Sequence, residues 1–140
     1  MIEDLGDALF ARLMKDDPSK TATLYKAATD VLLALHQTPP LPLHVCDARW
    51  LCDMTAPVFE WYAHGDPNAA MMRFEQVFHP LALQLESTPM VVILRDYHAE
   101  NLLWLPQRRG FAKVGLLDFQ DALLGHPAYD LVSILQDARR

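Results

Sequence analysis

The hydrophobic pattern of this chain changes period once, near Ser87, and that change restricts the fold more than any other feature. Upstream, apolar residues recur at three- and four-residue intervals: Leu9, Phe10, Leu13 and Met14, then Leu24, Ala28, Val31, Leu32 and Leu35. That spacing lays an apolar stripe along one face of a helix. Downstream come short continuous apolar runs, "MVVILRD", "NLLWLP" and "FAKVGLLDF", bounded by polar residues. Runs of that length, rich in β-branched residues, read as buried strands. The sequence therefore predicts an α+β chain: helices, then a tight cluster of short strands, then one more helix over "HPAYDLVSILQDARR".

Prolines punctuate the helical part. A first helix is expected from about Asp7 to Lys15. Asp17 and Pro18 then offer an N-cap and a first-turn proline for the second. Pro39, Pro40 and Pro42 make an extended connector. A third helix is expected through "DARWLCDMTAPVFEWYAHG", kinked or split at Pro57. A fourth starts near Pro67, and Pro80 offers a further break. "QRRG" is a turn, with Arg108, Arg109 and Lys113 around it read as solvated. No internal repeat is present.

With 140 residues the chain is one domain or part of a larger one. A hydrophobic content of 51% supplies a core, and the net charge of −6 argues against nucleic acid as a partner. Cys46 and Cys52 stand six apart, off a common helix face, and no CxxC pair is present. Each is read as a small packing residue in a reducing compartment. The acidic start "MIEDLGDALF" lacks the basic region of a signal peptide, and no apolar run is long enough to cross a bilayer. A cytoplasmic protein without membrane contact is expected.

Polar residues crowd between the strands. Asp96 directly follows an apolar run, and Asn101 opens the next. A short loop between adjacent strands would bring both to one rim. Asp118 is expected to end a third strand that pairs with the second as a hairpin through Gln107 to Gly110. Three oxygen-bearing side chains then converge, a hard donor set that suits magnesium and its phosphate ligands. Two other readings of these residues exist. Each Asp or Asn alone is ordinary turn chemistry. Asp96, His98 and Asp118 together could hold a transition metal, although no H-x-H or HExxH is present.

"RDYHAENLLWLP" and "GLLDFQDALLGHPAYDLVSILQDARR" carry a resemblance. D-x4-N followed by a strand-borne DF resembles the catalytic and metal-binding segments of eukaryotic-like kinases. The match is closer to the aminoglycoside-phosphotransferase-like family, in the His two residues after the Asp and in G-x-P-x-x-D-L after the DF. Within that family it looks nearest to the kinases that phosphorylate the anomeric hydroxyl of N-acetylmuramate and N-acetylglucosamine in cell-wall recycling.

The resemblance implies the mostly helical C-lobe of a protein-kinase-like fold, with a small sheet of short strands carrying the catalytic loop. It implies ATP as co-substrate, Mg2+, and a small sugar as acceptor. Asp96 would be the base, and Asn101 and Asp118 the metal ligands. His98 would support the loop, and Asp130 would tie its backbone from the following helix. Ile2 to Leu5, with Glu3, Asp4 and Leu5, would end the hinge that binds adenine. Trp61 and Tyr62, near His64, could line the sugar site or pack a helix end. Asp47 and Glu60 could bind sugar hydroxyls, or serve as an N-cap and a solvated helix face.

The departures are specific. Leu94 stands where many relatives have His, Arg95 where many have Gly, and Gln120 where protein kinases have Gly. No glycine-rich phosphate loop and no strand lysine with a helix glutamate is present. The expectation is a kinase-like C-lobe over residues 1–140, with the N-lobe of the same polypeptide before it and further helices after it. Such a fragment is expected to be inactive alone. The alternatives are a pseudokinase-like binding or scaffold module, or a kinase of aminoglycosides or choline-type alcohols.

Overall fold

A computed structural model describes residues 3–39, 41–62 and 64–136. Ile2 and Pro40, named above, lie outside the described residues. The order is α1 (Phe10–Asp16), α2 (Thr21–His36), α3 (Ala48–Asp53), α4 (Ala56–Tyr62), α5 (Pro67–Leu83), β1 (Val91–Ile93), β2 (Leu102–Trp104), β3 (Val114–Leu116), β4 (Leu123–Gly125) and α6 (Ala128–Leu135). Helices dominate up to Ser87 and strands follow, which is the α+β class the change of period predicts.

The helix α2 is the spine. Its stripe Leu24, Ala28, Val31 and Leu32 is buried. Against it pack Phe10 of α1, Val92 of β1, Leu102 of β2, Val114 of β3 and Ile134 of α6, all in one cluster. Asp17 caps the 3-10 turn that leads into α2, accepting from the Ser19 N–H at 3.1 Å. The first helix starts later than expected. Residues before it are held in extended form: the Trp104 N–H donates to the Ala8 carbonyl at 2.8 Å, and Leu9 bridges Leu103. The edge of β2 thus takes backbone groups that the local pattern assigned to a helix.

Two prolines behave differently. Pro57 divides the expected third helix: α3 ends at Asp53 and α4 begins at Ala56. Proline is tolerated in a first turn, where its missing N–H has no intrahelical partner. Pro80, in contrast, does not break α5, which runs through it to Leu83. Pro80 and Gln76, whose carbonyl loses its partner, are both exposed, so water takes the place of the missing bond. Packing holds the helix together around the fault: Phe74 stacks on Phe78 at 4.8 Å and lies 5.3 Å from Phe59 of α4.

The strands form two separate antiparallel ladders rather than one small sheet. In one, β1 pairs with β4, Val91 opposite Gly125 and Ile93 opposite Leu123. In the other, β2 pairs with β3, Leu102 opposite Leu116 and Trp104 opposite Val114. The hairpin of β2 and β3 is the expected one. The strand β4 was not anticipated, because "LLG" is too short to show a period. The proline-rich connector extends its ladder: the Cys46 N–H donates to the Leu124 carbonyl at 2.7 Å, and the Leu124 N–H to the His44 carbonyl at 2.8 Å. Cys46 and Cys52 are free and buried, and burial pushes both thiols up. Among the described residues no helix is long and apolar enough to cross a membrane.

Candidate active site

The loop between β1 and β2 joins two different ladders, so its shape comes from the elements around it and not from a hairpin. Asp130, in the first turn of α6, is fully buried. Its carboxylate accepts the Leu94 N–H at 2.7 Å and the Arg95 N–H at 2.9 Å. Burial pushes this carboxyl up to about 6, and the two backbone bonds only partly oppose that. The loop is fastened at other points too. Ser133 donates to the Arg95 carbonyl at 3.4 Å, the buried Tyr97 hydroxyl donates to the Ala28 carbonyl of α2 at 2.8 Å, and the Ala11 N–H donates to the Ala99 carbonyl at 3.0 Å. Helices α1, α2 and α6 each hold one part of it.

Between these anchors the chain turns outward once. Arg95 has φ 71°, a left-handed conformation that glycine adopts freely and other residues adopt at a cost. Its guanidinium lies 5.2 Å from the Trp50 ring centroid on α3, a cation–π contact. Leu94 and Tyr97 are buried, while Asp96 between them is exposed. The carboxylate of Asp96 is thus presented to solvent on a loop pinned at both sides.

Asn101 sits at the far end of the loop. Its Nδ2 donates to the Asp96 carbonyl at 3.1 Å and lies 3.3 Å from His98 Nε2. His98 itself is buried. The Leu117 N–H donates to the Asn101 carbonyl at 3.0 Å, which sets the neighbouring Asp118 beside Asn101. Asp118 does not end a strand: β3 stops at Leu116, and Asp118 follows in a left-handed turn with φ 57°. Asp is among the few residues that take this region readily. The Leu117 N–H to Asn101 carbonyl bond is in register with the β2–β3 ladder, so the pairing reaches one residue past Leu116 before the chain turns away at Asp118. Gln120 donates its amide to one oxygen of Asp118.

A cleft of about 740 Å³ opens beside Asp118, lined also by Glu3, Asp4, Leu5, Asp7 and Arg12. That is within the usual size of a cofactor or ligand site, roughly 300–1,000 Å³. Arg12 is the one basic side chain among its described lining residues, so the wall is acidic. Arg108 is not simply solvated: it pairs with Glu3 at the rim. A polyphosphate would enter such a wall only with a cation to screen it. Asn101 Oδ1 and the exposed Asp118 carboxylate are hard oxygen donors that fit magnesium, which takes few protein ligands and keeps water and phosphate oxygens. Among the described residues no three His, Cys, Asp or Glu side chains group to hold a metal ion, so the Asp96, His98 and Asp118 centre does not form. An apolar cavity of about 50 Å³ beside Cys46 and Tyr129 is too small for a sugar or nucleotide.

Trp61 and Tyr62 are each 80% exposed on α4, so neither packs a helix end. His64 and Glu60 are exposed as well. Asp47 caps α3, accepting the Trp50 N–H at 2.7 Å. Tyr97, Trp50 and Ser133 also shape the site without having been singled out from the sequence, and Gln120, noted there only as a departure from Gly, bonds Asp118. Tyr97 alone had a signal: an aromatic inside the polar run next to Asp96.

The site thus presents an exposed carboxylate on a strapped loop, two hard-oxygen donors and an acidic cleft. The chain belongs to the phosphotransferase enzyme family (APH), whose profile matches residues 1–140. It is similar to the N-acetylmuramate/N-acetylglucosamine kinase of Caulobacter vibrioides, 44% identical over 154 residues, covering 100% of this chain and 42% of the relative. The Neisseria meningitidis serogroup B protein of the same name is 43% identical over 65 residues, 46% of this chain and 18% of the relative. That of Pseudomonas putida is 27% identical over 146 residues, 99% of this chain and 40% of the relative. The chain thus spans less than half the length of the relatives it matches.

Proposed function

We propose that this chain carries the base and metal ligands of an ATP- and Mg2+-dependent sugar kinase. Its acceptor is the anomeric hydroxyl of N-acetylmuramate or N-acetylglucosamine, the sugars named for the relatives. The observation that carries the reading is the placement of Asp118: it neighbours Asn101 through the Leu117 to Asn101 bond and lines the same cleft as Glu3, Asp4 and Leu5. The cleft accommodates the nucleotide, with the backbone of Glu3 to Leu5 at the adenine. Trp61 and Tyr62 offer exposed aromatic faces to a sugar ring.

Asp96 takes the proton of the acceptor hydroxyl as its oxygen attacks the γ-phosphorus. The bond to the β,γ-bridging oxygen breaks and ADP leaves. Magnesium, when held by Asn101 and Asp118, supplies the charge neutralisation that an acidic cleft lacks. Asp130, through Leu94 and Arg95, keeps the loop from drifting, and positioning is most of what this chemistry requires. The setting is the cytoplasm, where ATP is available. The phosphate clamp absent from residues 1–140 belongs to an N-lobe of the same polypeptide.

The test is the Asp96→Asn variant of the full-length protein, assayed for sugar 1-phosphate by 31P NMR. Turnover is expected to fall by roughly 10²–10⁴ with ATP binding intact. Turnover at the wild-type rate would refute the assignment.

A further inference from the structure

We propose that His98 is a positioning residue that fixes the amide of Asn101, so that Oδ1 and not Nδ2 faces the metal. This rests on the phosphotransferase reading and deepens it. The Asp96 carbonyl can only accept, so the Asn101 atom facing it at 3.1 Å is the nitrogen. That same nitrogen lies 3.3 Å from His98 Nε2. An amide nitrogen has two protons and no lone pair to share, so Nε2 accepts, and the His98 proton sits on Nδ1. Both donor positions of Asn101 are then engaged inside the loop. Oδ1 has no hydrogen bond among the described residues and is the atom left for a cation.

The arrangement is not the one packing alone would select. His98 is 7% exposed, and its buried Nδ1 finds no hydrogen-bond partner among the described residues. A histidine kept only for the core would be replaced at no loss by an apolar ring, which leaves no polar atom unpaired. What the imidazole adds is one acceptor aimed at Asn101. Without it the amide keeps a single anchor, at Asp96, and can rotate its nitrogen toward the cation.

The experiment measures Mn2+ binding to the full-length protein by electron paramagnetic resonance, with adenylyl imidodiphosphate present. His98→Phe fills the site but removes the acceptor, and Mn2+ affinity is expected to fall by about 10–100-fold, the usual effect of losing a partner behind a metal ligand. His98→Gln restores an acceptor and should recover most of the affinity. In turnover assays the Mg2+ requirement should rise in His98→Phe while the KM for sugar stays put. Unchanged Mn2+ affinity in a folded His98→Phe protein overturns the proposal. Should that variant not fold, 15N NMR of wild-type His98 decides: a proton on Nδ1 supports it and a proton on Nε2 overturns it. Asn101→Ala and Asp118→Ala separate the two levels. If neither weakens Mn2+ binding, the metal site itself fails; if both do and His98→Phe does not, only the role of His98 fails.

Discussion

Asp130 shows how one side chain both organises the loop and burdens it. A carboxylate with two backbone N–H donors would ordinarily titrate low, but full burial dominates and moves its pKa from 3.8 to about 6. The folded state therefore binds this proton more tightly than the unfolded state. The stability it contributes is fully present below 3.8 and is lost as pH rises through about 6, up to about 3 kcal/mol for this group. Asp130→Asn removes that titration. The variant's urea midpoint should change less between pH 4 and pH 7.5 than the wild type's, with a lower midpoint overall because one N–H acceptor is lost. A pH dependence identical to wild type would show that Asp130 does not titrate in this window. Arg95, in the β1–β2 loop, and Asp118, just after β3, are both left-handed. Glycine suits position 95 conformationally, yet Arg95 gains the Trp50 contact. Asp118 combines a tolerance for that backbone with an exposed carboxylate at the cleft.

The secondary-structure elements carry two faults with opposite consequences. In α5, Pro80 lies in a helix interior with an exposed surface. Pro80→Ala restores a backbone bond to Gln76 and removes no buried contact, so it should stabilise by about 1–3 kcal/mol. The thermal midpoint should rise; a fall would mean that the proline ring is required for packing. In β4, Gly125 faces Ile93, whose Cδ1 would lie 2.5 Å from an added Cβ. Ile93 is fully buried and cannot swing into solvent. Gly125→Ala should cost about 1–3 kcal/mol by overpacking, read from chemical denaturation. Because β1 leads directly into Leu94 and Arg95, the damage should also lower kcat. A neutral Gly125→Ala would show that the β1–β4 ladder has slack at this contact.

Across the molecule, the arrangement is a helical body with its polar residues gathered where two ladders meet. The spine α2 receives Tyr97, α6 receives Leu94 and Arg95, and the segment before α1 straps onto β2. This puts Asp96, Asn101, Asp118 and the floor of the cleft on one connected core. The cleft has no glycine-rich loop in residues 1–140 to cover a triphosphate. The isolated 140-residue chain should therefore form no sugar phosphate above background, whereas the full-length protein should turn over. Coupled ADP-release assays on both decide it, and activity of the short chain comparable to full length would defeat the two-lobe reading.

Much of this was legible along the chain. The stripe of α2, the hairpin of β2 and β3, and the acidic residues around Asp96 and Asp118 all depend on neighbours within a few positions, and local spacing records such relations. Tertiary structure decided the rest. Nothing near Pro80 says that aromatic packing will carry a helix past it. Nothing in "LLG" says that β1, some thirty residues upstream, will accept it as a partner. The segment before Phe10 looks helical until β2, more than ninety residues away, takes its carbonyl. Backbone hydrogen bonds go to whichever partner the whole fold brings within reach, and sequence periodicity reports only the partners nearby.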